Sequence, residues 1–305
     1  MTSRETSGSA PGKERPTGTE PRNRVAEALT FDRWGMLLLP LLIFLTLVML
    51  APLLIMLVQS FTDPTIGLQN YRAIFENPLY LRVLQNTFLI AISVTVLTVL
   101  IGFPYAYLMT IATPMWRLVL LIAVLVPFWT SLLVRSFALV LTLRDTGVIN
   151  TTLEAIGVIS EPLPLFRSIW GVLFGMVQIT LPFAVLPLYA TMRGIDRNLL
   201  LAAESLGARP SLAFAKVFVP LTVPGLMAGS ILVFVQTLGY YITPALLGGP
   251  RDTMIGELIV QQVTTILRFG FGTALGVLLL VSTFLLLFIA SRFVDMKQYL
   301  MGQSS

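Results

Sequence analysis

The sequence predicts an all-α integral membrane protein with six transmembrane helices, and three observations predict it. Of 305 residues, 56% are hydrophobic and 11% charged, and the mean hydropathy is +0.86. That leaves too little polar surface to coat a soluble globule. Apolar runs recur at roughly 34–59, 86–111, 116–142, 169–192, 222–247 and 273–291; as a helix at 1.5 Å per residue the shortest rises about 28 Å, close to the hydrocarbon thickness. Basic residues are divided unevenly between the alternate loops, as the positive-inside rule asks of a multi-pass protein.

The composition also excludes whole classes of chemistry. Cysteine and histidine are absent, so disulfides, thiolate nucleophiles, histidine-ligated metals and Ser-His-Asp catalysis fall away. No intramembrane carboxylate pair or metal cluster supports an embedded enzyme. Gly12-Lys13 is followed by Glu14, and no Gly-x-x-x-x-Gly-Lys-Ser/Thr occurs, so the chain is expected to bind neither ATP nor another cofactor by itself. Gly270-Phe271-Gly272 with Gly276 is spaced one residue too widely for a dinucleotide loop, and no strand precedes it. The net charge of +5 lacks the one-sided basic patch with aromatic support that a nucleic acid would require, so none is expected as a partner.

Taken in order, residues 1–33 are rich in Ser, Thr, Gly, Pro and mixed charge and read as a disordered tail. The apolar run that follows is too long for a signal peptide and has no small-x-small cleavage site, so it reads as a retained anchor. Six spans place both ends on one side. If that side is the cytoplasm, it receives Arg22, Arg24, Arg33, Arg117, Arg193, Arg197, Arg209, Lys216, Arg292 and Lys297, and the other side Arg72, Arg82, Arg144, Arg167, Arg251 and Arg268. The asymmetry puts both termini, including a tail at 294–305, in the cytoplasm of a cell bounded by this membrane. Gly171/Gly175, Gly225/Gly229 and Gly272/Gly276 are GxxxG pairs that predict close helix packing.

The cytoplasmic loop 193–221 is amphipathic rather than apolar. Asp196 predicts an N-cap, Leu199, Leu200, Ala203 and Leu206 form a stripe at helical spacing, and Gly207 predicts a left-handed stop. Ser211 would cap a second short helix, and Pro220 would end it or begin the next span. A helix lying on lipid headgroups is the competing reading. The small residues at 202, 203, 207 and 208 favour packing against protein.

Here the chain resembles a known family. Ala202-Ala203, three residues, Gly207, nine residues, then Val217-Phe218-Val219-Pro220 is similar to the cytoplasmic EAA loop of permease subunits of binding-protein-dependent ABC importers. PLYLRVLQNT at 78–87, LVPFWTSLLVRSF at 125–137, DTGVIN at 145–150, EPLPLF at 161–166, LPFAVLPLYA at 181–190 and TPALLGGPRDTMIGELIVQQ at 243–262 resemble the spermidine/putrescine (PotB-like) branch, so the likeness covers roughly residues 34–293. It implies a type I importer (MetI-like) permease domain in a bacterial inner membrane. It further implies a second permease subunit, a dimer of ABC ATPases that carries ATP and magnesium, and a periplasmic solute-binding protein. Leu201, Ala202, Ala203, Glu204, Leu206, Gly207, Ala208, Val217 and Pro220 would form the ATPase-coupling loop, and the solute would be a small nitrogen-containing one such as spermidine or putrescine. Without the loop spacing, an ATP-independent secondary transporter or channel is the rival reading.

Two departures stand out. The Glu of Glu-Ala-Ala is Leu201, with a carboxylate at Glu204 instead, and the family's Gly-Glu-Phe reads Gly239-Tyr240-Tyr241, which removes an acid that could meet a cationic solute. Arg135 lies in the third span, where a central arginine costs about 2.5–3.5 kcal/mol on insertion scales. It follows Pro127, which can break the span and let a shorter segment turn along the outer face. Arg135 either snorkels to the outer headgroups or borders the translocation path. Trp129, Tyr240 and Tyr241 divide in the same way between an interfacial belt and contacts to a cation.

Overall fold

The structure, a computed structural model, describes residues 33–302. The tail read at 1–33 therefore lies outside the described residues except for Arg33. The chain divides into two compact units, residues 1–53 and 54–305. Helix α1 (Arg33–Thr62) begins in the first unit and carries there apolar side chains from Leu39 to Leu53 that are exposed, with Ala51 half-buried. A helix apolar on all sides is what a lipid surrounding accepts.

The second unit is built on three long helices: α3 (Pro78–Ile111), α7 (Ile169–Arg193) and α9 (Pro210–Gly239), with the short α2 (Gln69–Glu76) before them. Asn77 starts α3, its Oδ1 accepting the Leu79 N–H at 3.0 Å, with Pro78 at the first helical position. Lipid tails are as apolar as leucine, so close packing, not the hydrophobic effect, joins such helices. Small residues make that packing possible. A Cβ on Gly229 of α9 would stand 3.1 Å from the Ala184 carbonyl oxygen of α7, and one on Gly225 would collide with Thr191. Across α3 and α7 the buried hydroxyls of Thr98 and Thr180 meet at 3.1 Å.

Two expected spans differ. The third is broken: α4 (Pro114–Trp129) gives way to α5 (Leu132–Leu143) and α6 (Val148–Ala155), and the direction changes by 103° at the break. Five helices are long and apolar enough to cross a membrane, and six if this bent pair counts as one. The carbonyls freed at the break are taken by side chains: Thr130 Oγ1 donates to the Pro127 oxygen at 2.9 Å and Arg135 Nη2 to the Thr130 oxygen at 3.1 Å. The fifth span is displaced from its expected 222–247. α9 begins at Pro210 and stops at Gly239, and α10 (Ile242–Leu247) follows after an interruption at Tyr240-Tyr241.

The last helices are α11 (Ile255–Val260), which continues as a widened π turn over Gln261–Thr265, and α12 (Phe269–Gly302). Residues 294–302, read as a tail, thus continue α12. α3 serves as a ruler for the two ends of the bundle. Near its start, Asn86 Nδ2 donates to the Arg251 and Thr253 carbonyls at 3.2 and 3.1 Å, and Thr87 Oγ1 accepts the Ile255 N–H at 2.8 Å. The loop at 193–221 gathers round its other end, about 35 Å away at 1.5 Å per residue.

Candidate functional site

The loop at the end of α3 is built around α8 (Asn198–Ser205). Asp196 caps it from one residue further out than a simple N-cap, its Oδ1 accepting the Asn198 N–H at 2.9 Å. Gly207 stops it with φ +91°. The Gly207 N–H donates to the Glu204 oxygen at 2.9 Å and the Ala208 N–H to the Ala203 oxygen at 3.1 Å, the paired bonds of a Schellman motif that a Cβ at position 207 would strain.

The expected stripe splits. Leu200 and Ala203 turn inward and are half-buried, whereas Leu199, Leu201 and Leu206 are exposed, Leu206 by 89%. Packing toward the Phe214–Phe218 turn, across the cavity that Leu200 helps to line, selects one edge of the stripe and leaves the rest free. Ser211 is not a cap: the second helix starts at Pro210 with Arg209 before it and no side-chain cap bond. Nor does Pro220 end that helix, which runs on into α9 through a π turn at Phe214–Phe218, where the Val219 N–H reaches the Phe214 oxygen. Pro220 falls in the turn just beyond this widening, at a place in the hydrogen-bond ladder already interrupted. Val217 is half-buried and Pro220 exposed; Ala202 and Glu204 are exposed and Ala208 half-buried.

The loop is tied to α3 by two devices. Arg197 Nη2 donates to the Thr110 carbonyl at 3.0 Å, while Arg117 reaches the Met109 and Ala112 carbonyls from Nε and Nη2, each at 3.1 Å. These guanidiniums meet carbonyls that a helix end leaves unpaired, at the negative end of its dipole. Tyr107, Phe214 and Phe218 form a ring cluster with centroids 5.2, 5.4 and 5.1 Å apart, a separation at which aromatic pairs attract. Beside them lies a cavity of about 470 Å³ lined by Tyr107, Arg117, Arg193, Arg197 and Leu200.

The loop is an anchored amphipathic segment with outward leucines, in a chain with five helices, or six with the bent pair, long and apolar enough to cross a membrane. Residues 114–297 match the profile of the binding-protein-dependent transport system inner membrane component. The chain belongs to this family. As a binding-protein-dependent permease it is 36% identical over 227 residues to the spermidine/putrescine transport system permease protein PotB of Haemophilus influenzae, covering 74% of this chain and 79% of that one. It is 34% identical over 241 residues to PotB of Escherichia coli K12, covering 78% and 87%, and 34% identical over 250 residues to the inner membrane ABC transporter permease protein YdcU of the same organism, covering 74% and 79%. In fold it is similar to a bacterial ABC transporter involved in the import of the acidic polysaccharide alginate, at TM-score 0.69 and 20% identity over 90% of this chain and 99% of that one. A second structure, of the alginate transporter in complex with an alginate pentasaccharide-bound periplasmic protein, matches at TM-score 0.68 and 21% identity over 88% and 96%. The protein is thus a multi-pass permease subunit of an ABC importer of a bacterial inner-membrane family, and not an enzyme. Among the described residues no group of three or more His, Cys, Asp or Glu could hold a metal.

At the other end of the permease, Arg135 and Tyr240 come close enough to interact electrostatically. The Arg135 guanidinium also bonds Thr130 Oγ1, from Nε at 3.2 Å and Nη2 at 3.1 Å, so it both closes the helix break and comes within electrostatic reach of Tyr240. Tyr240 is half-buried and Tyr241 39% exposed. Trp129 ends α4 and is 89% exposed. Three features escape a reading along the chain: the Arg197–Thr110 tie, the ring cluster, and Glu257, the half-buried acid of α11 whose neighbour Gly256 lies against Tyr240 and Tyr241. An acid in the otherwise apolar IGELIV of 255–260 is the signal for the last; the first two join residues too far apart in sequence to leave one.

Proposed function

We propose that this permease passes a small organic cation of the polyamine type, spermidine or putrescine foremost, from a periplasmic binding protein to the cytoplasm. Work comes from ATP, held with magnesium on a dimer of partner ATPases, and a second permease subunit completes the path. The relation to spermidine/putrescine permeases at 34–36% identity over about three quarters of the chain carries the substrate reading. For the coupling role the support is the pair Leu201 and Leu206, 59% and 89% exposed on a loop anchored to α3. Apolar side chains held outward on a fixed helix suit a groove in a partner protein, and a rigid tie lets movement of that partner pass into the bundle.

On this reading the coupling loop and both termini face the cytoplasm. Tyr240, Tyr241, Arg135 and Trp129 then border the outer part of the path, where the aromatic faces attract an ammonium by about 0.5–2 kcal/mol each. The domain plan is a permease domain at 34–293 with short cytoplasmic tails before and after it. The test is uptake of labelled putrescine and spermidine by proteoliposomes holding the permeases, the ATPase and the cognate binding protein. ATP-dependent accumulation is expected. Uptake that persists without ATP would instead mark a secondary transporter or channel, and accumulation of neither amine would remove the polyamine class.

A further inference from the structure

α11 presents three distinct sides. Ile255, Leu258 and Ile259 pack with Ile74, Val83 and Phe271 in a core cluster. Gly256 faces the interruption after α9: a Cβ there would lie 3.3 Å from Tyr241 Cβ and 3.4 Å from the Tyr240 carbonyl oxygen. At about 100° per residue, Glu257 stands one step beyond Gly256, on the side of α11 turned from that core. It is half-buried, and among the described residues its carboxylate has neither an ion pair nor a hydrogen bond.

That sets it apart from the other acids described. Glu76 pairs with Arg72, and the carboxylates of Asp63, Asp196 and Asp252 accept the N–H groups of Gly270, Asn198 and Gly249. Asp145, Glu154, Glu161 and Glu204 are exposed. Removing a carboxylate from water without a partner is unfavourable, and burial pushes the Glu257 carboxyl above the ordinary glutamate range. No structural return offsets this among the described residues. On α9, Gln236, one turn before Tyr240, is exposed, and a Cβ on Gly239 would meet open space.

We infer that Glu257 is the specificity-determining carboxylate of this permease, binding one ammonium group of the solute beside Tyr240 and Tyr241. The inference rests on the cationic-solute reading above. Gly256 of α11 lies against the segment that holds Tyr240 and Tyr241, so the helix brings an acid to within one residue of that contact. A carboxylate–ammonium hydrogen bond is charge-assisted and stronger than a neutral one, and the tyrosine rings complete a site selective for cations over neutral solutes.

The experiment measures putrescine transported per ATP hydrolysed by the reconstituted complex, for the wild type, Glu257→Gln and Glu257→Asp. Glu257→Gln should lower the ratio about tenfold, while the ATP hydrolysis stimulated by loaded binding protein and co-purification of the partner permease stay intact. Glu257→Asp should keep most of the ratio. Wild-type transport matched by Glu257→Gln overturns the inference and leaves the cation reading standing, whereas a wild type that transports neither putrescine nor spermidine overturns both. Loss of the partner permease from the Glu257→Gln complex, or Glu257→Asp as poor as Glu257→Gln, would make the acid an interface or packing group and also overturn it.

Discussion

The guanidinium of Arg197 donates from Nη2 to the backbone carbonyl of Thr110 at 3.0 Å, joining the residue before α8 to the last turn of α3, 87 positions earlier. α3 runs the whole depth of the bundle and at its far end holds the 251–255 segment through Asn86 and Thr87. One continuous helix therefore links the 193–221 loop to the start of α11, which carries Glu257. On the proposed orientation, a push on the loop would reach the outer mouth along this helix.

Cutting the tie should uncouple rather than unfold. Arg197 is exposed, so Arg197→Ala should change stability by no more than about 0.5 kcal/mol. Transport per ATP should fall severalfold while ATPase association persists. Flux and hydrolysis measured on the same proteoliposomes check it; an unchanged ratio would mean that the loop acts without this link.

Gly207→Val should be the more damaging change, because a β-branched residue is a genuine outlier at φ +91°. ATPase association and transport should fall together while membrane insertion survives. Gly207→Ala should weaken the motif by about 1 kcal/mol and lower transport in part. Pull-down of the ATPase by each variant reads the first effect directly.

Gly225 tests the packing of α9 on α7. A Cβ there would meet the Thr191 side chain and stand 2.9 Å from the Pro187 carbonyl oxygen, so Gly225→Leu should destabilise the detergent-solubilised complex by about 1–3 kcal/mol through overpacking. Gly239→Ala is the control, since open space surrounds that position. Thermal unfolding of the two variants should separate them clearly.

Topology is the fourth expectation. Reporter fusions at the C-terminus and within 193–221 should both score as cytoplasmic. A periplasmic signal at either site would reverse the membrane orientation, and with it the ATPase-docking role of Leu201 and Leu206.

Much of this was legible along the chain because it depends on short-range chemistry. Apolar runs of bilayer length mark helices whatever their neighbours, Pro127 announces a breakable span, and Gly207 signals a left-handed stop because only glycine takes that conformation without strain. The GxxxG pair at Gly225 and Gly229 announces close approach for the same local reason. Ser211 misled because a helix boundary is settled by competition, whereas Pro220 stands at the start of the α-helical stretch Val219–Gly239, the second of its two readings. Phe214 and Phe218 stack on each other and meet Tyr107 of α3 edge-on, the turn between them widens, and the helix passes through the proline. Which leucines of α8 face inward was decided by the cavity wall beneath it and not by periodicity. Glu257 reads as one acid in an apolar segment until folding sets α11 against Tyr240 and Tyr241. Charge, propensity and span length belong to single stretches of chain, whereas a carboxylate left without a partner exists only once distant stretches have packed round it.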